Sequence, residues 1–253
     1  MIQMRCHIVM YANGEPFETT KKLTLASVDE YTKKDIVIHD YNPEKIKQSS
    51  WFSKIKDLPL IKKIGYRDGY YNVYKAFCCL EVYNLLEEGD VLFYLDSSQY
   101  YVNGFTQNID RLCDIAVEKG FIAGSVGDDI MNDMYQLCHK FEVWKKILPE
   151  CDMSILKKRH ILNSWFILTK NTINEQFMND WVYWCMYADE EFPEPLITYH
   201  LTGDQSIFNP LVHKYKLPVF YDKNRYHCLN KDKNGVLEVI NNAQNVDDYF
   251  ILL

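Results

Sequence analysis

Gly-Asp-Val-Leu-Phe-Tyr-Leu-Asp-Ser-Ser, residues 89–98, is the stretch of this chain from which its fold can be predicted. Five β-prone, almost wholly apolar residues follow Asp90, and the run ends in Asp96 and two serines. Such a run is typical of a buried central strand in a parallel or mixed sheet. Ligands of open α/β sheets bind beyond the carboxyl ends of the strands, so Asp96 is a candidate functional residue. Aspartate and serine also suit turns, and a turn-capping role for Asp96 is the alternative.

Strand-like and helix-like patterns alternate along the rest of the chain. Strands are predicted at 5–11, 35–39, within 160–170, at 121–126 and at 218–221, and helices at 16–27, 70–87, 105–119, 140–148, 175–188 and from 205 onward. Residues 40–68 contain two prolines and many lysines, which predicts a long loop with a short helix at 51–55. The alternation favours an α/β fold, with a mainly parallel, Rossmann-like central sheet sandwiched by helices. We expect a single domain over residues 1–253.

Charge and composition argue against several classes of protein. The 253 residues include 28 basic and 35 acidic side chains, a balance that does not suit a nucleic-acid-binding surface. No apolar run approaches the ~20 residues of a membrane span, and no secretory hydrophobic region begins the chain. The eight cysteines form no C-x-x-C pair and lie mostly in apolar segments, which predicts reduced packing residues. We therefore expect a cytoplasmic protein without nucleic-acid partners or integral membrane association.

Common catalytic motifs do not occur in the sequence. It has no G-x-S-x-G elbow, no Walker P-loop and no G-x-G-x-x-G after the first predicted strand, so a dehydrogenase, a kinase or a common hydrolase is poorly supported. What remains is a set of carboxylates at the ends of predicted strands and before predicted helices: Asp40, Asp96, Asp128, Asp129 and Asp204.

Three blocks of the chain resemble a group of small glycosyltransferases with the GT-A fold. Residues 69–75 and 85–98 are similar to an aromatic-rich G-Y-x-x-W-K-P helix followed by G-D-I-L-L-Y-L-D-A-G. The similarity continues in 139–144 and in the strand–helix segment 162–184. The third block, Gly-Asp-Gln-Ser-Ile-Phe at 203–208, is similar to the group's H-D-Q-S-I-F element. The order and spacing of the blocks carry the resemblance, since each motif alone is weak.

This resemblance implies transfer of a sugar from a nucleotide-diphosphate sugar to a hydroxyl acceptor on a glycan or glycoprotein. It implies a nucleotide-sugar-binding half at 1–98 and an acceptor-binding half at 99–253. Tyr11 and Asn13, at the end of the first predicted strand, are expected to stack on and hydrogen-bond the nucleotide base. A plain turn is the alternative for these two residues.

A divalent metal ion, Mn²⁺ or Mg²⁺, is also implied, with Asp96, Ser98 and His227 as its predicted ligands. Such an ion stabilises charge on the leaving nucleoside diphosphate as a Lewis acid. Ser98 stands where the D-x-D motif of GT-A enzymes commonly has its principal metal carboxylate, so the metal requirement stays open. Arg67 and Lys75 are predicted to neutralise the diphosphate. A lysine at the helix edge with its ammonium in water is the alternative for Lys75.

Asp204 and Gln205 are predicted to lie at the reacting centre. In inverting enzymes a carboxylate at such a place deprotonates the acceptor hydroxyl, an effect of ~10²–10⁴-fold. In retaining glycogenin-like enzymes an Asp-Gln pair lies beside the anomeric carbon instead. The alternative is that Asp204 caps the helix that follows it.

Two other functions are compatible with the same residues. A nucleotidyltransferase uses similar strand-end carboxylates, but it would normally need a second metal carboxylate close to Asp96. A catalytically degenerate GT-A fold could bind a glycan or a partner without turnover, and Ser98 keeps that alternative open. The transferase hypothesis requires the carboxyls of Asp96 and Asp204 to converge on one pocket that accepts a pyrophosphate.

Overall fold

A seven-stranded sheet runs through the described part of the chain. The computed structural model describes residues 4–15, 17–57, 73–97, 109–126, 141–150, 160–191, 203–222, 230–231, 237–238 and 250–252. The strands of the sheet are β1 (Arg5–Tyr11), β2 (Asp35–Tyr41), β3 (Val91–Asp96), β4 (Phe121–Val126), β5 (His160–Thr169), β6 (Val219–Asp222) and β9 (Phe250–Leu252). A separate two-stranded ribbon consists of β7 (Asn230–Lys231) and β8 (Leu237–Glu238).

The sheet is mixed, and five of its seven strands run in one direction. Its strand order is β2-β1-β3-β5-β4-β6-β9. β1 pairs in parallel with β2 and β3, and β4 pairs in parallel with β6. β5 is antiparallel to both β3 and β4, and β9 is antiparallel to β6. Among the described strands, β2, β1, β3, β4 and β6 thus share one direction, which confirms the predicted fold class.

Helices cover both faces of this sheet. They are α1 (Phe17–Tyr31), α2 (Pro43–Gln48), α3 (Phe52–Ile55), α4 (Val73–Tyr83), α5 (Ile109–Lys119), α6 (Phe141–Ile147), α7 (Thr172–Glu191) and α8 (Gly203–Lys214). Buried residues of α4, α7 and α8 share one core cluster with α2, α3 and α6. Residues of α1 and α5 form the second cluster on the opposite face. Near-continuous apolar strands such as β3 are required because both faces of the sheet are covered.

The prediction of a loop across residues 40–68 is wrong at 43–48, where the chain forms the helix α2. Asn42 caps this helix by accepting a hydrogen bond from the Lys45 N–H at 2.8 Å, and Pro43 occupies the first helical position. Both are standard helix-start signals. Ile46 is fully buried and attaches the helix to the core. Residues 58–68 of the predicted loop lie outside the described residues.

Aromatic rings fill the core between the sheet and the helices α7 and α8. Ring centroids lie 5.1–6.3 Å apart in a connected group: Phe121, Phe166, Phe177, Trp181 and Phe208. Trp144 is also buried, and Trp184 packs partly buried against the same cluster. These tryptophans are packing residues. Such rings contribute large buried areas and favour offset and edge-to-face contacts.

A buried polar cluster lies at the edge where β1 and β3 begin. Asp90 is 1% exposed and accepts hydrogen bonds from the Arg5 backbone N–H at 3.0 Å, the Arg5 guanidinium at 2.8 Å and the Glu87 N–H at 3.0 Å. His7 Nε2 lies 3.5 Å from the same carboxylate. Burial raises the pKa of Asp90, but the hydrogen bonds from Arg5 and Glu87 outweigh it and the net pKa is lowered. Asp90 is therefore a structural anion.

Two histidines extend this cluster and make stability depend on pH. His7 Nδ1 and His39 Nε2 are 3.0 Å apart. Burial lowers the pKa of His39 from 6.5 to about 4, with the charges of His7 and Lys45 acting in the same direction. The unfolded chain therefore binds more protons than the folded chain between pH 6.5 and pH 4. Stability is fully present above this window and decreases as pH falls through it.

We expect the free energy of unfolding to fall by about 2 kcal/mol between pH 7 and pH 5 because of this histidine pair. Urea titrations at both pH values measure the change. His39→Gln has no titrating group at this position, so its loss over the same interval should be clearly smaller. An equal loss in the variant and the parent protein would contradict this account.

Candidate functional site

Asp96 ends β3 at the edge opposite to the Asp90 cluster. Tyr11, the last residue of β1, is its register partner on the neighbouring parallel strand. Side chains alternate between the faces of a strand, so Tyr94 and Asp96 point to the same face. That face is covered by α4, whose first turn contains Tyr74 and Lys75. The surroundings of Asp96 thus come from β1, β3 and α4, which contribute Tyr11, Tyr94, Tyr74 and Lys75.

Lys75 and Tyr94 both contact the same oxygen of Asp96. The Lys75 ammonium lies 3.3 Å from Asp96 Oδ1, and the Tyr94 hydroxyl donates a hydrogen bond to Oδ1 at 2.6 Å. The ammonium is also 4.9 Å from the centre of the Tyr94 ring. Lys75 is 4% exposed, which rules out the alternative of an ammonium held in water. The side chain of Asp96 is 25% exposed, so this carboxylate is the part of the group that solvent reaches.

Burial strengthens the electrostatics of this group. Two unit charges 4 Å apart attract by about 4 kcal/mol at an effective dielectric constant of about 20, against about 1 kcal/mol in water. Burial, followed by the negative charge of Asp96, raises the pKa of Tyr94 well above its ordinary value. Tyr94 therefore stays a hydrogen-bond donor at neutral pH and orients the carboxylate. We identify it as a positioning residue for Asp96.

Tyr11 lies at the same edge as Asp96. Its ring is half-buried and packs on the ring of Tyr74, with the centroids 4.0 Å apart. The Ala12 N–H donates to the Tyr41 carbonyl at 3.2 Å and extends the pairing of β1 with β2 past Tyr11. Asn13 follows in the turn that leads to α1 and is half-buried. An aromatic residue and an amide residue thus lie two positions apart at the end of β1.

The chain just after Asp96 is anchored to α1. Thr20 is 3% exposed, and its hydroxyl donates a hydrogen bond to the Ser97 carbonyl. Ser97 is itself 7% exposed. This contact ties the carboxyl end of β3 to the helix that follows β1. The predicted ligand Ser98 lies outside the described residues.

Asp40, another predicted strand-end carboxylate, is engaged by α1. Lys21 Nζ lies 2.8 Å from Asp40 Oδ1 and 3.0 Å from Glu18 Oε2. Lys21 is 4% exposed, so this lysine is buried beneath its two carboxylates. The pairing gives Asp40 a structural partner at the end of β2.

The described residues do not fit a divalent-cation site. Asp96 contributes one carboxylate to this group, and its Oδ1 is shared by an ammonium and a phenol. A divalent cation placed on Asp96 would be repelled by the nearby charge of Lys75. Within the described ranges, no three His, Cys, Asp or Glu side chains are grouped so that they could hold a metal ion. The predicted roles of Ser98 and His227 stay predictions, since both lie outside those ranges.

Asp204 and Gln205 lie in the first turn of α8. Asn209, one turn later, is 1% exposed and uses its amide to bind both the N–H and the carbonyl of Ile161 on β5, at 2.9 and 2.8 Å. α8 leads into β6, which runs in the same direction as β3. The helix therefore ends near the edge where β3 starts, and its first turn lies toward the edge of Asp96. The roles of Asp204 and Gln205 stay predictions.

Several predicted residues fall outside the described part of the chain. These are Arg67, Ser98, Asp128, Asp129 and His227. Conversely, sequence reasoning missed Tyr94 and Tyr74 as parts of the Asp96 environment. The period of two along a strand places Tyr94 on the face of Asp96, so that signal was present in the sequence. The contact between Tyr74 and Tyr11 joins two segments that are far apart in sequence, and no local pattern indicates it.

Neither a family model nor a curated protein matches this sequence. Similar solved structures include the galactosyltransferase LgtC in complex with donor and acceptor sugar analogs, at 14% identity, 87% coverage of this chain, 74% of that chain and a TM-score of 0.44. Mouse xyloside xylosyltransferase 1 in its apo form is similar at 11% identity, with 84% coverage of this chain, 83% coverage of that chain and a TM-score of 0.47. An active-site mutant of LgtC is similar at 13% identity, with 81% coverage of this chain, 69% coverage of that chain and a TM-score of 0.41.

At these identities and TM-scores the likeness concerns the general fold and carries no conclusion about activity. A mixed sheet flanked by helices is the architecture that the sequence predicted, and the described strands and helices confirm it at that level. None of the helices in the described part of the chain has the length and apolar character that a membrane span requires.

Proposed function

We propose that this chain is a glycosyltransferase that moves a sugar from a nucleotide-diphosphate sugar to a hydroxyl acceptor on a glycan or glycoprotein. The observation that carries the proposal is the group formed by Tyr11, Lys75, Tyr94 and Asp96 at the carboxyl ends of β1 and β3. Open α/β sheets bind nucleotides at this edge. The sequence resemblance to GT-A enzymes rests on the same strand.

Each member of the group has a chemical role in this proposal. The exposed part of the Asp96 carboxylate accepts hydrogen bonds from hydroxyl groups of the donor. Lys75 supplies positive charge beside the diphosphate, where negative charge develops as the sugar leaves. Tyr11 offers a ring on which the base stacks, and Asn13 offers an amide that can both donate and accept hydrogen bonds. Tyr94 fixes the carboxylate for these contacts.

The acceptor side of the reaction is proposed for the start of α8. There Asp204 takes the proton of the acceptor hydroxyl or, with Gln205, stands beside the anomeric carbon. Two observations support this placement: the direction of α8, and the Asn209 clamp that fixes the helix on β5. The chain is proposed to act as a single domain, with the donor site contributed by residues 1–98 and the acceptor site by residues 99–253.

A panel of uridine and guanosine diphosphate sugars tests the proposal. Thermal-shift measurements identify a donor that stabilises the chain, and donor hydrolysis and transfer to glycan acceptors are then followed by release of the nucleoside diphosphate. Asp204→Asn should retain donor binding and lose about 10²–10⁴-fold in turnover. Asp114→Asn is the matched control, because Asp114 pairs with Lys34 at the opposite edge and should not change turnover.

Other results would point to other functions. Donor binding without hydrolysis or transfer in the parent protein would identify a degenerate fold that only binds. Release of pyrophosphate from a nucleoside triphosphate would identify a nucleotidyltransferase. Absence of binding by every nucleotide sugar would overturn the proposal.

A further inference from the structure

The ion pair between Lys75 and Asp96 occupies the place where the GT-A resemblance expects a divalent cation. We propose that the Lys75 ammonium is itself the cation of this site, so that the donor's diphosphate binds without a divalent metal ion. The inference rests on the proposed function and specifies the cofactor requirement of the same site.

The geometry supports this assignment. The ammonium is 3.3 Å from Asp96 Oδ1 and lies against the Tyr94 ring, whose hydroxyl holds the same oxygen at 2.6 Å. Because Lys75 is 4% exposed, water screens its charge poorly. A fixed, weakly screened ammonium beside the partly exposed Asp96 carboxylate offers a diphosphate a charged hydrogen-bond donor and disfavours a second cation.

Charge balance points the same way. In a D-x-D site two carboxylates face one divalent cation, and the charges cancel. In this chain Ser98 stands in the third position of the motif, which leaves one carboxylate. One carboxylate and one ammonium cancel equally well, and the pair is already formed before any ligand binds. The serine at the third position and the buried lysine thus belong together: the serine removes one carboxylate, and the lysine balances the charge of the carboxylate that remains.

The assignment is tested by calorimetric binding of UDP and GDP to the full chain, once in EDTA and once in Mn²⁺. For the parent protein we expect the affinity for the preferred nucleotide to agree within about twofold between the two buffers. Lys75→Met should weaken binding in EDTA by about tenfold or more, because a charge-assisted contact is lost. Mn²⁺ should restore part of that loss, since removal of the ammonium makes Asp96 available to a metal ion.

Two further variants keep the test decisive. Lys75→Arg retains the positive charge and should bind the nucleotide in EDTA, which gives a readout even if Lys75→Met does not fold. Lys34→Met removes a lysine that pairs with Asp114 at 2.7 Å, at the opposite edge of the sheet, and should bind like the parent protein in both buffers.

The inference is overturned if the parent protein binds UDP or GDP only in Mn²⁺, or if Lys75→Met binds as tightly as the parent protein in EDTA. Both results would leave the proposed glycosyltransferase function standing, since a nucleotide still binds. Absence of binding by either nucleotide in both buffers would contradict the proposed function, and the inference would fall with it.

Discussion

Replacing Asp96 by alanine is expected to weaken binding of the nucleotide sugar, whose hydroxyl groups lose their acceptor, and to lower the free energy of unfolding by about 2–4 kcal/mol. The second effect arises because the ammonium of Lys75, 4% exposed, would lose its carboxylate partner inside the protein. An uncompensated buried charge costs more than the missing ion pair contributes. Urea unfolding of the ligand-free protein measures the effect on stability, and calorimetry measures the effect on binding.

The double variant Asp96→Ala/Lys75→Met separates the cost of the uncompensated Lys75 charge from the loss of the ion pair. It removes both charges, so its stability should exceed that of Asp96→Ala although it carries one more substitution. Binding of the nucleotide sugar should stay weakened in the double variant, which also lacks the ammonium. If Asp96→Ala unfolds at the same urea concentration as the parent protein, the ion pair does not contribute to stability and the burial argument for Lys75 is wrong.

Replacing Asp90 by alanine is expected to cause the largest loss of stability, about 3–5 kcal/mol. Asp90 is 1% exposed and accepts hydrogen bonds from the Arg5 N–H, the Arg5 guanidinium and the Glu87 N–H. The variant would leave these donors without their acceptor at the start of β1 and β3. Because whole domains are stable by only about 5–15 kcal/mol, a loss of this size should be plain in urea unfolding and in the melting temperature.

Asp114→Ala is the matched control for Asp90. Its carboxylate forms an ion pair with Lys34, but its side chain is 55% exposed. An exposed pair of this kind contributes about 1 kcal/mol or less. Equal losses in the Asp90 and Asp114 variants would show that burial of the Asp90 network does not contribute as we infer.

The strands were the most predictable part of the fold. β3 contains five consecutive buried residues, Val91–Leu95, and an apolar run of that length between two turn signals has few other interpretations. α2 was missed, although Asn42 and Pro43 are helix-start signals, because the lysines of the segment suggested a loop. The reversed direction of β5 could not be predicted from its own sequence, since strand direction depends on which neighbours the chain reaches.

The candidate site was predicted in part. Asp96 and Lys75 were both candidates, but their direct contact joins a helix and a strand separated by twenty-one positions in the chain. Local sequence patterns do not predict a contact between residues so far apart in the chain. Tyr94 was not predicted as a site residue. Within an apolar run it is interpreted as a core residue, and the sequence does not indicate that its hydroxyl binds Asp96. The predicted role of Asp96 as a metal ligand stays a prediction, and its contact with Lys75 is visible only in three dimensions.

The insertion of β5 between β3 and β4 has a consequence for dividing the chain. The proposed donor half, residues 1–98, supplies β1, β2 and β3, and β5 from the other half covers the open side of β3. A fragment ending at residue 98 would expose an almost wholly apolar strand with unpaired backbone groups, which is a template for intermolecular pairing. Expression of the first half alone should therefore yield aggregates, and the two halves are better studied by co-expression as complementary fragments.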